Sequence, residues 1–140
     1  FFDILKGALI IIFIRLNVFG DIELLHPLAY GFAASFGHAF SPFIKFRGGK
    51  AVATTAGAYA AYSPWNIIFG AVVFLIALKT TKFVSIASTA IAVLVFVIAL
   101  ISQDIEVIFY GVLTMTLIMY RHKTNYKNIL NKIEPKTKWF

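Results

Sequence analysis

Phe83 to Ile101 is a run of nineteen residues without a single charge. As a helix at ~1.5 Å per residue it covers ~28 Å, close to the ~30 Å hydrocarbon core of a bilayer. Five further apolar stretches flank it: roughly Ile4–Phe19, Leu24–Phe40, Ala51–Tyr62, Trp65–Leu78 and Val107–Tyr120. Of the 140 residues, 60% are hydrophobic and only 14% are charged, and most of the charges lie between the apolar blocks. That pattern predicts an all-α, polytopic integral membrane helical bundle of about six segments rather than a soluble domain. Ala51–Tyr62 is too short to cross alone, so it is expected to tilt, to extend into its flanks, or to be partly re-entrant. Its many Ala and Gly residues suit close helix packing inside a bundle. Pro64 separates it from the next segment.

The charged connections alternate in sign. Asp21 and Glu23 lie in one; Lys45, Arg47 and Lys50 lie in the next. After the uncharged Tyr62–Asn66 turn come Lys79 and Lys82, then Asp104 and Glu106, then a basic tail. Six segments threaded in turn put every basic connection on one side, which the positive-inside rule makes cytoplasmic. Arg15 does not fit, and is expected to snorkel or to pair with Asp21 or Glu23. The net charge of +7 is therefore read as an inner membrane face, not as a nucleic-acid surface. Cysteine is absent, which excludes disulfides and thiolate metal sites. The chain lacks an initiator Met and opens on Phe1-Phe2-Asp3, so an N-terminal truncation is expected. Residues 121–140 are expected to form a basic cytoplasmic tail. Tyr126, Ile129, Leu130 and Ile133 would line one face of an amphipathic helix on the inner surface.

Three polar groups fall on the basic side. The first is GHAFSPFIKFRGGKAVAT, from Gly37 to Thr54, with His38 at its mouth and Lys45, Arg47 and Lys50 around Gly48-Gly49. Glycine lets a backbone approach a ligand closely, and N–H groups with cations beside them can hold a phosphate. It is not a Walker A loop: Ile44 stands where that motif needs Gly, and Ala51 where it needs Ser or Thr. A basic loop that only sets topology explains the same residues. The second group is Ser85 and Ser88, three apart on one helix face. Helix packing is the bland alternative for them. The third is His122 and Asn125, also three apart, where His can act as a base or as a phosphate partner. A solvated interfacial pair is the plain alternative there. His26, on the acidic side, is read as structural. Convergence of the three groups suggests one site, suited to joining a phosphate-bearing substrate to a lipid chain.

The segment GHAFSPFIKFRGGKAVAT closely resembles the second signature of the bacterial acyl-phosphate:glycerol-3-phosphate acyltransferases, the PlsY family. Val84-Ser85-Ile86-Ala87-Ser88 is similar to the later Val-Ser-x-Ala-Ser element of that family. Arg121-His122-Lys123-Thr124-Asn125 with Glu134-Pro135-Lys136 is similar to its C-terminal element, and Asp3-Ile4-Leu5-Lys6-Gly7 to the opening of its second helix. The resemblance implies a seven-helix enzyme of the bacterial inner membrane, of which six helices lie here, with the active site facing the cytoplasm. It implies acyl transfer from acyl phosphate to the sn-1 hydroxyl of glycerol-3-phosphate, giving lysophosphatidic acid and phosphate, without cofactor or metal. Carried over, Lys45, Arg47, Gly48, Gly49 and Lys50 would bind phosphate with His38 nearby. Ser85, Ser88 and Glu134 would also serve substrate binding, and His122, positioned by Asn125, would be catalytic. The family's first signature loop is absent, so a fragment of this extent is expected to lack part of the site. Ala51 also departs from the usual Gly after the Lys. The rival readings are a small anion transporter and a non-catalytic membrane subunit.

Overall fold

The computed structural model describes residues 2–18, 20, 25–46 and 48–138. Those residues form seven α-helices: α1 Phe2–Arg15, α2 Pro27–Ala39, α3 Val52–Tyr62, α4 Trp65–Thr81, α5 Val84–Ser102, α6 Ile105–Arg121 and α7 Lys123–Leu130. A short 3-10 turn, Pro42–Ile44, lies between α2 and α3. Helices α1 to α6 each sit on one of the expected apolar stretches, and α7 lies in the basic tail. α4 starts at Trp65 directly after Pro64, whose fixed φ suits a helix entrance. Asp104 caps α6 by accepting from the N–H groups of Glu106 and Val107.

Among the described residues α5 is the helix long and apolar enough to cross a membrane on length and composition, and α4 is apolar but shorter. The short α3 is neither at the surface nor alone. It packs on α1, α2 and α4, and Thr54, Thr55, Gly57, Ala58 and Tyr59 are buried. Two glycines make its contact with α1 close. A Cβ on Gly7 would lie 2.0 Å from the Thr54 carbonyl oxygen, and one on Gly57 would lie 1.9 Å from that of Ile4. The two backbones touch because neither residue carries a side chain, which is how small residues join helices within lipid. α5 in turn packs on α4 and α6 through a stripe of Ser85, Ala87, Ser88, Ala92, Val95 and Ala99. Large apolar side chains point outward instead. Phe69, Leu75 and Ile76 of α4 are more than half exposed, which suits a surface facing acyl chains.

Contacts between the helices define two ends. At one, Lys6 of α1 meets His38 of α2, and Arg121 of α6 reaches Gly48 and Gly49 just before α3. Ser85 of α5 meets Glu134 there too. At the other, Arg15 donates to the carbonyls of Ala61 and Tyr62 at 3.1 and 2.7 Å, with its guanidinium 5.4 Å from the Tyr62 ring centre. Arg15 is thus held by helix-terminal carbonyls and an aromatic face; Asp21 and Glu23 lie outside the described residues. His26 is structural as expected. Its Nδ1 accepts from the Leu28 N–H to cap α2, and its ring stacks on Tyr110.

The tail departs from a single surface helix. α7 ends at Leu130, and the chain then runs back so that the Thr137 N–H donates to the Lys82 carbonyl at 2.9 Å. Tyr126 faces the bundle, bonded to Thr89 at 2.6 Å, whereas Leu130 and Ile133 are exposed.

Candidate active site

The loop before α3 is built by close packing. A Cβ on Gly48 would lie 2.0 Å from the His38 carbonyl oxygen, and one on Gly49 would lie 2.1 Å from His38 Nε2. Neither glycine has a positive φ; the described residues of this loop that do are Lys45, Phe46 and Ala51. Close packing against the last turn of α2 thus favours glycine at both positions, against backbone at Gly48 and against the His38 ring at Gly49. Ala51, where the family pattern has Gly, takes the left-handed conformation at φ 62° as the N-cap of α3. A non-glycine residue there carries about 1–2 kcal/mol of strain. Its methyl is buried beside Ala39 and Leu117, which offsets part of that cost.

Arg121 closes the loop from the other side. Its Nε donates to the Gly49 carbonyl at 3.1 Å, another guanidinium nitrogen donates to the Gly48 carbonyl, and the group lies 5.3 Å from the centre of the Phe40 ring. The sequence reading gave Arg121 no role. The available signal was its place directly before His122.

His122 is almost wholly buried, at 1% exposure, where α6 ends. Its Nδ1 lies 2.8 Å from the Ile118 carbonyl and so carries the proton, which leaves Nε2 as an acceptor. Burial pushes the imidazole below its ordinary pKa, and the Lys50 charge pushes it the same way. Asn125 does not position His122. Its amide donates to Glu134 at 2.7 Å, and Ser85 donates to the same carboxylate oxygen at 3.2 Å. Burial alone would raise the Glu134 pKa. Hydrogen bonds from Asn125, Asn128 and Ser85, with the charge of Lys50, outweigh it and hold the carboxyl below its usual range. Lys50 thus acts on both His122 and Glu134.

The structure brings Gly48, Gly49, Lys50, Ser85, His122, Asn125 and Glu134 to one end of the bundle. Ser88 is buried one helical turn beyond Ser85. His38 joins through its ring against Gly49, while its Nδ1 is 2.7 Å from Lys6 Nζ, itself paired with Asp3 at 2.7 Å. Lys45 is exposed at the end of the 3-10 turn and has no ion pair among the described residues. Arg47 lies outside them. No group of three or more metal-ligating side chains occurs among the described residues.

A pH consequence follows. The Glu134 pKa is lowered in the fold, so its carboxylate supports tail docking above the usual carboxylate range, and that support is lost as pH falls through it. His122 has the same sign: buried neutral, it opposes protonation as pH falls. A spin label on Lys138→Cys, with no native Cys to compete, should be immobile near neutral pH and become mobile only in acid, as pH falls below the ordinary carboxylate range through the lowered Glu134 pKa. In Glu134→Gln it should be mobile throughout. A label that stays immobile in acid would refute this docking.

The family of these residues is decided by comparison with known proteins. A sequence profile described as Glycerol-3-phosphate acyltransferase matches residues 1–132. The chain belongs to the glycerol-3-phosphate acyltransferase family. Among curated members of that family, one from Bacillus subtilis is 41% identical over 137 residues, covering 98% of this chain and 69% of its own length. One from Bacillus cereus is 43% identical over 134 residues, covering 96% of this chain and 66% of its own. One from Bacillus velezensis is 41% identical over 116 residues, covering 83% and 60%. The chain thus spans 60–69% of the length of these curated relatives. The fold is similar to a crystal structure of PlsY, an integral membrane glycerol 3-phosphate acyltransferase, in its glycerol 3-phosphate form. The TM-score is 0.84 at 28% identity, covering 96% of this chain and 67% of that one. A lysophosphatidic acid form of PlsY superimposes with a TM-score of 0.83 at 28% identity, covering 96% of this chain and 68% of that one. An all-α integral membrane bundle of the acyltransferase family is therefore the fold of this chain.

Proposed function

We propose that the intact protein transfers a fatty acyl group from acyl phosphate to the sn-1 hydroxyl of glycerol-3-phosphate, releasing lysophosphatidic acid and phosphate. The observation that carries this reading is the gathering of the Gly48-Gly49-Lys50 loop, held by Arg121, with buried His122 and the Ser85–Glu134–Asn125 cluster at one end of an acyltransferase-family bundle. Lys50 and the loop N–H groups neutralise a phosphate. The first N–H groups of α3 add donors of the same sign, since Ala51 offers no side-chain cap. His122, kept neutral and with Nε2 free to accept, takes the proton of the attacking hydroxyl or hydrogen-bonds to substrate. Ser85, Ser88 and Asn125 orient substrate oxygens, and Glu134 holds Ser85 and Asn125 in place. The hydroxyl oxygen bonds to the acyl carbon, the carbon–oxygen bond to phosphate breaks, and phosphate leaves with its charge compensated. The donor is already activated, so positioning and charge neutralisation serve without a covalent enzyme intermediate.

Helices α1 to α6 lie in the bilayer of the bacterial inner membrane, with the short α3 packed within the bundle, and the loop end, with its Lys and Arg residues, faces the cytoplasm. α7 and the tail lie at that face among membrane lipids. The test is to supply glycerol-3-phosphate with acyl phosphate or with acyl-CoA to the intact protein in liposomes. Lysophosphatidic acid from acyl phosphate alone is expected. No product with either donor, or anion flux without acyl transfer, would overturn the reading.

A further inference from the structure

Arg121 does something to the loop that its neighbours cannot. Its guanidinium takes the carbonyls of both Gly48 and Gly49, two consecutive peptides. The described chain has no cis peptide, so in each of these planes the C=O and the next N–H point in opposite directions. With both carbonyls drawn to one side, the N–H groups of Gly49 and Lys50 are turned to the other. No acceptor meets either of them among the described residues. Two donors turned the same way, on the loop that carries the Lys50 cation, make an anion cradle that exists only while the carbonyls are held back. The Phe40 ring, 5.3 Å from the guanidinium carbon, holds the clamp in place, and His38 under Gly49 supports the loop from α2.

We propose that Arg121 is a positioning residue for phosphate recognition. By clamping the Gly48 and Gly49 carbonyls it aims the Gly49 and Lys50 N–H groups at the substrate phosphate. Because it precedes His122 directly, it also ties the register of the loop to that of the buried imidazole. This rests on the phosphate-binding reading of Lys50 above. Lysine keeps the charge but not the planar fork that reaches two carbonyls, so Arg121→Lys isolates the geometry.

The experiment measures binding of inorganic phosphate, kcat and the KM for glycerol-3-phosphate in the intact membrane protein. The variants are Arg121→Lys, Lys50→Ala and the double variant, each with a thermal melt. Arg121→Lys is expected to melt within a few degrees of the parent, to bind phosphate at least tenfold more weakly and to raise KM more than it lowers kcat. Combined with Lys50→Ala it should add less than its separate effect, because both act on one cradle. Normal phosphate affinity in Arg121→Lys, or a loss of kcat alone, overturns the proposal while leaving Lys50→Ala to judge the site. Normal affinity in Lys50→Ala overturns the phosphate reading itself. Should Arg121→Lys fail to fold, Phe40→Leu loosens the same clamp. A roughly threefold loss of phosphate affinity is then expected, and an unchanged affinity refutes the clamp.

Discussion

Lys50→Ala and His122→Ala in the intact protein should each lower acyl transfer at least tenfold. The two should differ in how. Lys50 is exposed and its charge reaches both His122 and Glu134, so its loss removes attraction for a doubly charged substrate and should raise KM as well as lower kcat. His122 is buried with Nδ1–H committed to the Ile118 carbonyl, leaving Nε2 to meet a proton in the transition state. With His122 acting as the proposed general base, its removal is expected to cost about 10²–10⁴-fold, mostly in kcat. Lys50→Arg separates this site from a patch that only attracts anionic lipid: a lipid patch tolerates it, whereas a fitted phosphate site does not. Steady-state kinetics on purified variants reads both effects. Near-normal turnover in Lys50→Ala and His122→Ala together would sink the assignment.

Gly57→Ala is the second large effect, on the fold itself. The added methyl would sit 1.9 Å from the Ile4 carbonyl oxygen and 3.1 Å from the Ala8 nitrogen, both backbone atoms that cannot swing aside. Overpacking a tight contact costs typically 1–3 kcal/mol, and a backbone obstacle belongs at the upper end. Ala is the better helix former by roughly 1 kcal/mol, which does not compensate. A lowered melting temperature, with activity lost in proportion to folded protein, is the expected result. Gly70→Ala is the control: there the nearest atom is the Ile91 methyl at 3.9 Å, so little change is expected. If Gly57→Ala melts like the parent, α1 and α3 are not in backbone contact.

The helices were readable because their causes are local. Apolar runs punctuated by charge and by Pro64 mark α3 to α6 to within two or three residues, and Asp104 supplies its own cap. The α1 and α2 ends near the Asp21–Glu23 connection were placed less well, since apolar Phe19 and Leu24 extend each run past the helix. The His122–Asn125 pairing illustrates a different limit. A spacing of three puts residues on one face only if the helix continues. It breaks at His122, where the backbone turns to φ −96°, ψ 2°, and α7 starts anew at Lys123. Asn125 is thereby turned towards Glu134.

Sequence alone determined that this chain is a bundle of apolar helices with most of its cations at one end, because hydropathy and charge act residue by residue. It also held the family's motifs in order. Tertiary structure alone decided what each polar residue touches. Gly48 and Gly49 serve packing against α2, Arg121 clamps their carbonyls, Ile118 sets the His122 tautomer, and Glu134 gathers Ser85 and Asn125. Most of these contacts join residues far apart in the chain, and even the local ones turn on where α6 stops. Their partners are settled by how helices cross and end, and no local pattern of sequence encodes that.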